Sequence, residues 1–401
     1  MRIPEKHFNL CACLISVAML TSSLHAMPKK HSEPVAVPFE AELSPLILIP
    51  VRINNTAPLW FIFDTGAGTS VIDSDTAGKL GLKIENPQQT PEPGGAITEG
   101  TVSSVTVQIG SALPEHCSIQ AAPIGQLGRY IGHDFAGIIG TDLIQRYTIK
   151  IDYAAHELLL LSPEDFKPAA DATEIPIDIV DGQVFIPIQI KNENHAPITG
   201  KFEVDTGSFD LLGLNNNFVV DNHLLDEKQS KIPAPGVAAG GATTGYLFLL
   251  EWAKVGPVTF DRPLVGYTTN SKGFENRPNA GGMGSALLSR FTVVLDYSRK
   301  RILLTPRDGA REHVPYYDMS GVLLNAEGPD WKRITIASVI PGSPAAEAGI
   351  QVGDQIVTID SIVPSSLAQV SMKFRQQGSW RLKVESKGNN REVTLHTRPL
   401  L

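Results

Sequence analysis

Two runs end on the same three residues after a stretch of large apolar side chains: Phe61–Gly66 (FIFDTG) and Phe202–Gly207 (FEVDTG). A single Asp-Thr-Gly occurs by chance in about one chain in ten of this length, and its ordinary meaning is a turn, since Asp and Gly both favour loops. Here each Asp closes an apolar run, each Gly permits a tight turn that presents the carboxylate, and each Thr hydroxyl can bond to backbone. Asp64 and Asp205, brought face to face, could not both ionise cheaply, so the pair would share a proton. Such a pair can activate a water: one carboxylate takes its proton while the other polarises the carbonyl under attack.

The elements that would bring them together are themselves repeated. Gly140–Tyr153 (GTDLIQRYTIKIDY) and Gly284–Tyr297 (GSALLSRFTVVLDY) share six of fourteen residues, and each continues into an apolar strand ending in proline. The triplets are 141 residues apart and these later segments 144 apart, so the chain reads as two homologous lobes, 35–165 and 174–307, joined near Asp165–Thr173. Short apolar runs broken by Gly, Pro and Asn make both lobes β-rich. Leu46–Ile53 and Leu59–Phe63 flank the polar turn Asn54-Asn55-Thr56, and Glu174–Val180 and Gln183–Lys191 form a hairpin about Asp181-Gly182. Short helices are expected near Ser74–Leu82, Leu143 and Leu287.

The 401 residues carry 34 Lys+Arg against 42 Asp+Glu, a formal charge of −8, and 42% are hydrophobic. That composition supports packed cores rather than disorder. Its acidic balance argues against nucleic-acid binding, which needs clustered cations. Residues 1–26 read as an export signal, with Arg2, Lys6 and His7 before the apolar run Cys11–Leu20 and small residues up to Ala26. No second stretch approaches membrane-spanning length, so an exported protein, periplasmic or extracellular, without a stable membrane span is expected. Cys117 is the one thiol outside the signal, which excludes a disulfide framework and a Cys-rich zinc site, and it reads as a small packed residue. The His residues lack metal-ligand spacing, and neither a nucleophile elbow nor a phosphate-binding loop occurs, so no metal and no cofactor is expected.

With both triplets and both later repeats in view, the chain resembles the pepsin/retropepsin superfamily of aspartic peptidases over roughly residues 35–306. Asp64-Thr65-Gly66-Ala67 and Asp205-Thr206-Gly207-Ser208 match its catalytic triplets, and Ile138-Ile139-Gly140 and Gly282-Met283-Gly284 match its apolar-apolar-Gly element. The short lobes and the missing disulfides look like a fused retropepsin-like dimer. The resemblance implies a mainly β fold of two barrel lobes forming a cleft, Asp64 and Asp205 as the catalytic pair, polypeptide substrates, and substrate contacts from Thr65, Gly66, Thr206 and Gly207. It also implies a flap over the cleft in each lobe, for which Pro93–Thr101 and Pro235–Tyr246 are the Gly-rich candidates, giving Gly95, Ala96 and Gly241 as further substrate-binding residues and Tyr246 as the candidate flap tyrosine. Ser208, where the first lobe has Ala67, is expected to hydrogen-bond the neighbouring carboxylate and lower its pKa.

After Arg307 the composition changes. Asp308–Pro315 is a charged linker, and 315–401 forms a compact α+β module. Its run Val339–Ser361 (VIPGSPAAEAGIQVGDQIVTIDS) resembles a PDZ domain of the kind appended to exported proteases. By that likeness Ser320, Gly321, Val322 and Leu323 form the peptide-binding loop, whose N–H groups would receive a carboxylate. The whole reads as an exported aspartic endopeptidase with a module for peptide or partner recognition; the rival reading is a non-catalytic or autoinhibited peptide-binding protein of the same fold.

Overall fold

The computed structural model describes residues 34–41, 46–92, 94–193, 195–225, 229–269, 279–310 and 317–401. The proposed export signal lies outside these residues. Strand Leu59–Phe63 buries Phe61, Ile62 and Phe63 and delivers Asp64 at its end; Ile198–Val204 buries Phe202 and Val204 and delivers Asp205. Removing each such aromatic side chain from water contributes about 1.5–3 kcal/mol, which fixes the depth at which each triplet sits.

In the first lobe Leu59–Phe63 runs between Leu48–Ile53 and Gly137–Ile139 in a seven-stranded sheet, and a further pairing of Leu48–Ile53 with Gly95–Ile109 closes it on itself. Asn54 and Asn55 both take left-handed dihedrals, as a tight hairpin turn requires. In the second lobe Ile198–Val204 lies between Gln183–Lys191 and Gly281–Met283. Each triplet strand is parallel to its partner across the apolar-apolar-Gly element, Phe63 facing Ile139 and Val204 facing Met283. The expected short helices form as Ser74–Lys79, Thr141–Ile144 and Ser285–Leu288, the first capped by Asp73, whose carboxylate accepts the Thr76 N–H at 3.0 Å.

A six-stranded sheet joins the lobes. Thr148–Asp152 and Phe291–Asp296, taken from the two downstream repeats, pair antiparallel with Lys150 directly opposite Val294. That register places Ile149 against Leu295 and Ile151 against Val293, so each lobe offers the other the same face. One apolar cluster, running from Val35 to Leu304, fills both lobes.

The strand expected over Glu174–Val180 is instead two. Thr173–Pro176 pairs with Arg301–Leu304 in the joining sheet, and Asp178–Val180 turns back on Gln183–Phe185 in the lobe sheet. Pro176 has no N–H to give and ends the first piece, while Asp181 and Gly182, both at positive φ, make the second a hairpin.

The C-terminal module is a five-stranded sheet ordered Val322–Glu327, Arg333–Val339, Gln355–Ile359, Gly378–Ser386, Asn389–Thr397. Helices Pro344–Glu347 and Leu367–Phe374 complete it around a separate core that includes Ile334, Val370, Phe374 and Leu395. Ser343 and Ser366 cap the two helices. No helix among the described residues is long and apolar enough to cross a membrane.

Candidate active site

The two triplet turns are anchored alike. The Asp64 N–H donates to the Ile139 carbonyl at 3.0 Å and the Asp205 N–H to the Met283 carbonyl at 3.0 Å. Thr141 N–H reaches the Ala67 carbonyl at 2.8 Å, and Ser285 N–H reaches the Ser208 carbonyl at 2.8 Å. The chain crosses so near that a methyl group on Gly140 would lie 2.6 Å from the Thr69 carbonyl, so the glycine of the apolar-apolar-Gly element is a requirement of close approach.

The threonines tie the turns to each other. Thr65 Oγ1 donates to the Val204 carbonyl at 2.5 Å and accepts the Thr206 N–H at 3.1 Å. Thr206 Oγ1 donates to the Phe63 carbonyl at 2.7 Å and accepts the Thr65 N–H at 3.0 Å. Both side chains are fully buried. They therefore position the carboxylates and do not touch substrate, which corrects the expectation for Thr65 and Thr206. Gly66 and Gly207 are half-buried, each against the carboxylate of the opposite lobe.

Asp64 Oδ1 accepts the N–H groups of Gly66 at 2.8 Å and Ala67 at 3.2 Å, and Asp205 Oδ1 accepts that of Gly207 at 2.9 Å. Burial pushes the Asp64 carboxyl up to about 6. Burial and then the Asp64 charge hold Asp205 well above the usual carboxylate range. The two share a hydrogen bond in which Asp205 keeps the proton and Asp64 accepts it. Over a window above pH 6 the site therefore holds one base and one acid side by side.

Each lobe also contributes a glycine-rich hairpin. The turn between Glu85–Glu92 and Gly95–Ile109 comes from the first lobe, and the turn between Gly236–Ala238 and Gly241–Thr243 from the second. They meet tip to tip: a methyl group on Gly94 would lie 2.5 Å from the Gly241 carbonyl oxygen, and one on Gly95 2.9 Å from that of Gly240. Gly95, Ala96 and Gly241 thus all stand at the flap tips, where Pro93 lies outside the described residues. Tyr246 does not; it sits in strand Gly245–Leu249, stacked on Tyr267 with ring centroids 5.7 Å apart.

Ser208 departs from expectation. Its hydroxyl is turned to Asp210, accepting the Asp210 N–H at 3.2 Å and bonding its carboxylate, and makes no bond to Asp205. Asp210, overlooked in the sequence, adds its own negative field to Asp205. Gln183 was also overlooked: from the second-lobe hairpin its side-chain amide donates to the Gly66 carbonyl, bracing the first-lobe turn. Cys117 is half-buried, and burial pushes its thiol up to about 11, as suits a packed residue. Among the described residues no three His, Cys, Asp or Glu are grouped to hold a metal ion.

In the C-terminal module the Ser320–Leu323 loop is formed, but its first three N–H groups are engaged. Asp318 Oδ1 accepts the N–H of Ser320 at 2.7 Å and of Gly321 at 2.9 Å, and Val322 adds a third. Ser320, Gly321 and Val322 are therefore not the open carboxylate receiver that the sequence suggested, while Leu323 lies in the edge strand Val322–Glu327. Burial pushes the Asp318 carboxyl up to about 6 against the lowering effect of these bonds.

Residues 49–143 match the family model for an aspartyl protease, and residues 335–385 match that for a PDZ domain. No curated protein matches the chain. The first match falls within the first lobe; the second lobe repeats the backbone bonds of Asp64 and Thr141 with Asp205 and Ser285. Taken with the paired triplets, these matches give the chain an aspartyl-protease domain with retropepsin-like features and, toward its C-terminal end, a PDZ domain.

Proposed function

We propose that the chain is an exported aspartic endopeptidase that hydrolyses extended polypeptides. One observation carries the reading: two carboxyls from different lobes share a hydrogen bond, held in place by threonines that reach reciprocally across the lobe interface. Asp64, the ionised member, takes a proton from a water lying between the carboxyls. Asp205 donates its proton to the carbonyl oxygen of the scissile bond as the water oxygen attacks the carbon. The C–N bond then breaks as the proton held on Asp64 passes to the leaving amine, and one hydroxyl of the tetrahedral intermediate returns its proton to Asp205. The glycine-tipped flaps exclude bulk water while this occurs.

The test is hydrolysis of an unfolded protein by the purified chain between pH 4 and 8, beside Asp64→Asn and Asp205→Asn. Both variants should lose activity while keeping the circular dichroism of the parent. Near-parental cleavage by either would overturn the aspartic mechanism. Export is tested separately, by recovering the chain outside the cytoplasm and finding whether residues 1–26 direct it there.

A further inference from the structure

The PDZ domain has a groove between strand Val322–Glu327 and helix Leu367–Phe374. The strand stands at the end of the sheet, with no strand on its outer side, and to such an edge an extended peptide can add. Both ends of this groove are filled from within the chain. At the start of the strand the Asp318 carboxylate takes the N–H groups of Ser320 and Gly321. At the far end lies the single turn of helix Gly128–Ile131, which belongs to the first protease lobe.

The fit there depends on two glycines. A methyl group on Gly132 would fall 2.9 Å from Leu367 Cβ and 3.7 Å from Ala326 Cβ, and one on Gly128 would fall 3.3 Å from the Trp331 ring. Gly132 also has φ +74°, which ends the turn and lets the chain leave the groove. We propose that the groove of the PDZ domain takes the first protease lobe of its own chain as its ligand and is thereby closed to free peptide C-termini.

The seat reaches toward the cleft. Ile131 is 4% exposed and belongs to an apolar cluster with Leu48, Ile62 and Ile97, the last on a flap strand. The contact is also incompletely bonded. Trp331 Nε1 and Asn325 Oδ1 are buried with no partner among the described residues, each at the cost of its desolvation. A cavity of about 500 Å³ opens beside Ile131, between Leu46 and Leu48 on the lobe and Ala368 and Met372 on the helix, away from the catalytic pair. The close approach at Gly128 and Gly132 makes the seat sensitive to one added methyl group.

Gly132→Ala and Gly349→Ala add that methyl group at the same φ of +74°, but nothing lies within 4 Å of the methyl group at position 349. Hydrogen–deuterium exchange is measured on the full chain in an Asp64→Asn background. Gly132→Ala should raise exchange roughly tenfold at residues 128–133 and together at 322–327 and 367–374, as one cooperative release. Gly349→Ala should leave residues 128–133 unchanged. Unchanged exchange of the strand and helix in Gly132→Ala would overturn the proposal. Should that variant lose its near-UV signal, Trp331→Ala alters only the PDZ side and must loosen residues 128–133. Decapeptides ending in a free Val, Leu or Phe carboxylate are also titrated into the parent chain up to about 200 μM. No saturable binding, or binding that deprotects residues 128–133 in competition for the seat, upholds the proposal. Saturable binding with residues 128–133 still protected overturns it.

Discussion

Gly66 lies against Asp205 so closely that a methyl group on the glycine would stand 2.6 Å from a carboxylate oxygen across the lobe interface. Gly207 faces Asp64 in the same way. Gly66→Ala or Gly207→Ala should therefore push the carboxyls apart and lower kcat/KM about 10²-fold, without changing circular dichroism. Activity within threefold of the parent on an unfolded-protein substrate would show that the spacing of the pair is not critical.

Thr65→Val removes one donor and one acceptor from the buried cross-lobe bonds and strands the Val204 carbonyl and the Thr206 N–H. Each stranded group should cost about 1–3 kcal/mol, read as a lower urea midpoint, whereas Thr65→Ser should recover most of it. Equal midpoints for the Val and Ser variants would remove the hydrogen bonds from the account.

The Asp64 carboxyl is pushed up to about 6 by burial, and Asp205 lies higher still. Below pH 6 both are protonated and the site has no base, so kcat/KM should rise through about pH 6 and fall as Asp205 ionises. An acid limb below pH 4 would contradict this. Stability should run the opposite way. Both groups bind protons more tightly folded than unfolded, so the melting temperature should fall as pH rises from about 4 to 6, and Asp64→Asn should reduce that fall.

Ser208 bonds Asp210 instead of Asp205, so Ser208→Ala should leave the acid limb where it was. Asp210→Asn removes a negative charge whose field raises Asp205, and the alkaline limb should move to lower pH. Both limbs are read from kcat/KM on one peptide. A shifted acid limb in Ser208→Ala would restore the hydroxyl to the catalytic pair.

What the sequence made legible was what its local chemistry repeats. Phe61–Gly66 and Phe202–Gly207 carry strand, turn and carboxylate within six residues, and the downstream repeats showed two lobes and the apolar strand in each, though not that these strands pair across the lobes. Gln183 was not legible, because its target, the Gly66 carbonyl, lies on the other lobe and any hydrogen-bonding side chain reads alike at a hairpin. Pro176 showed where a strand had to stop, yet two sheets competing for one segment is a tertiary fact. Asp318, by contrast, offered a signal that was overlooked: an Asp two and three residues before a Ser-Gly pair commonly bonds their N–H groups. The seat of residues 128–133 left no local trace, since its complement is some two hundred residues downstream.

Lys150 opposite Val294 marks the axis about which one half of the protease answers the other. Because a single chain supplies both halves, the halves need not agree. Ile62 stands where the other side has Glu203, Ala67 where it has Ser208, and Thr69 where it has Asp210. In an assembly of two identical lobes each of these choices would be made twice, and a charge set beside one carboxyl would appear beside both. Fusion removes that constraint, so one wall of the cleft can acquire charge while the other stays apolar, and the two carboxyls are free to differ in which one keeps the proton.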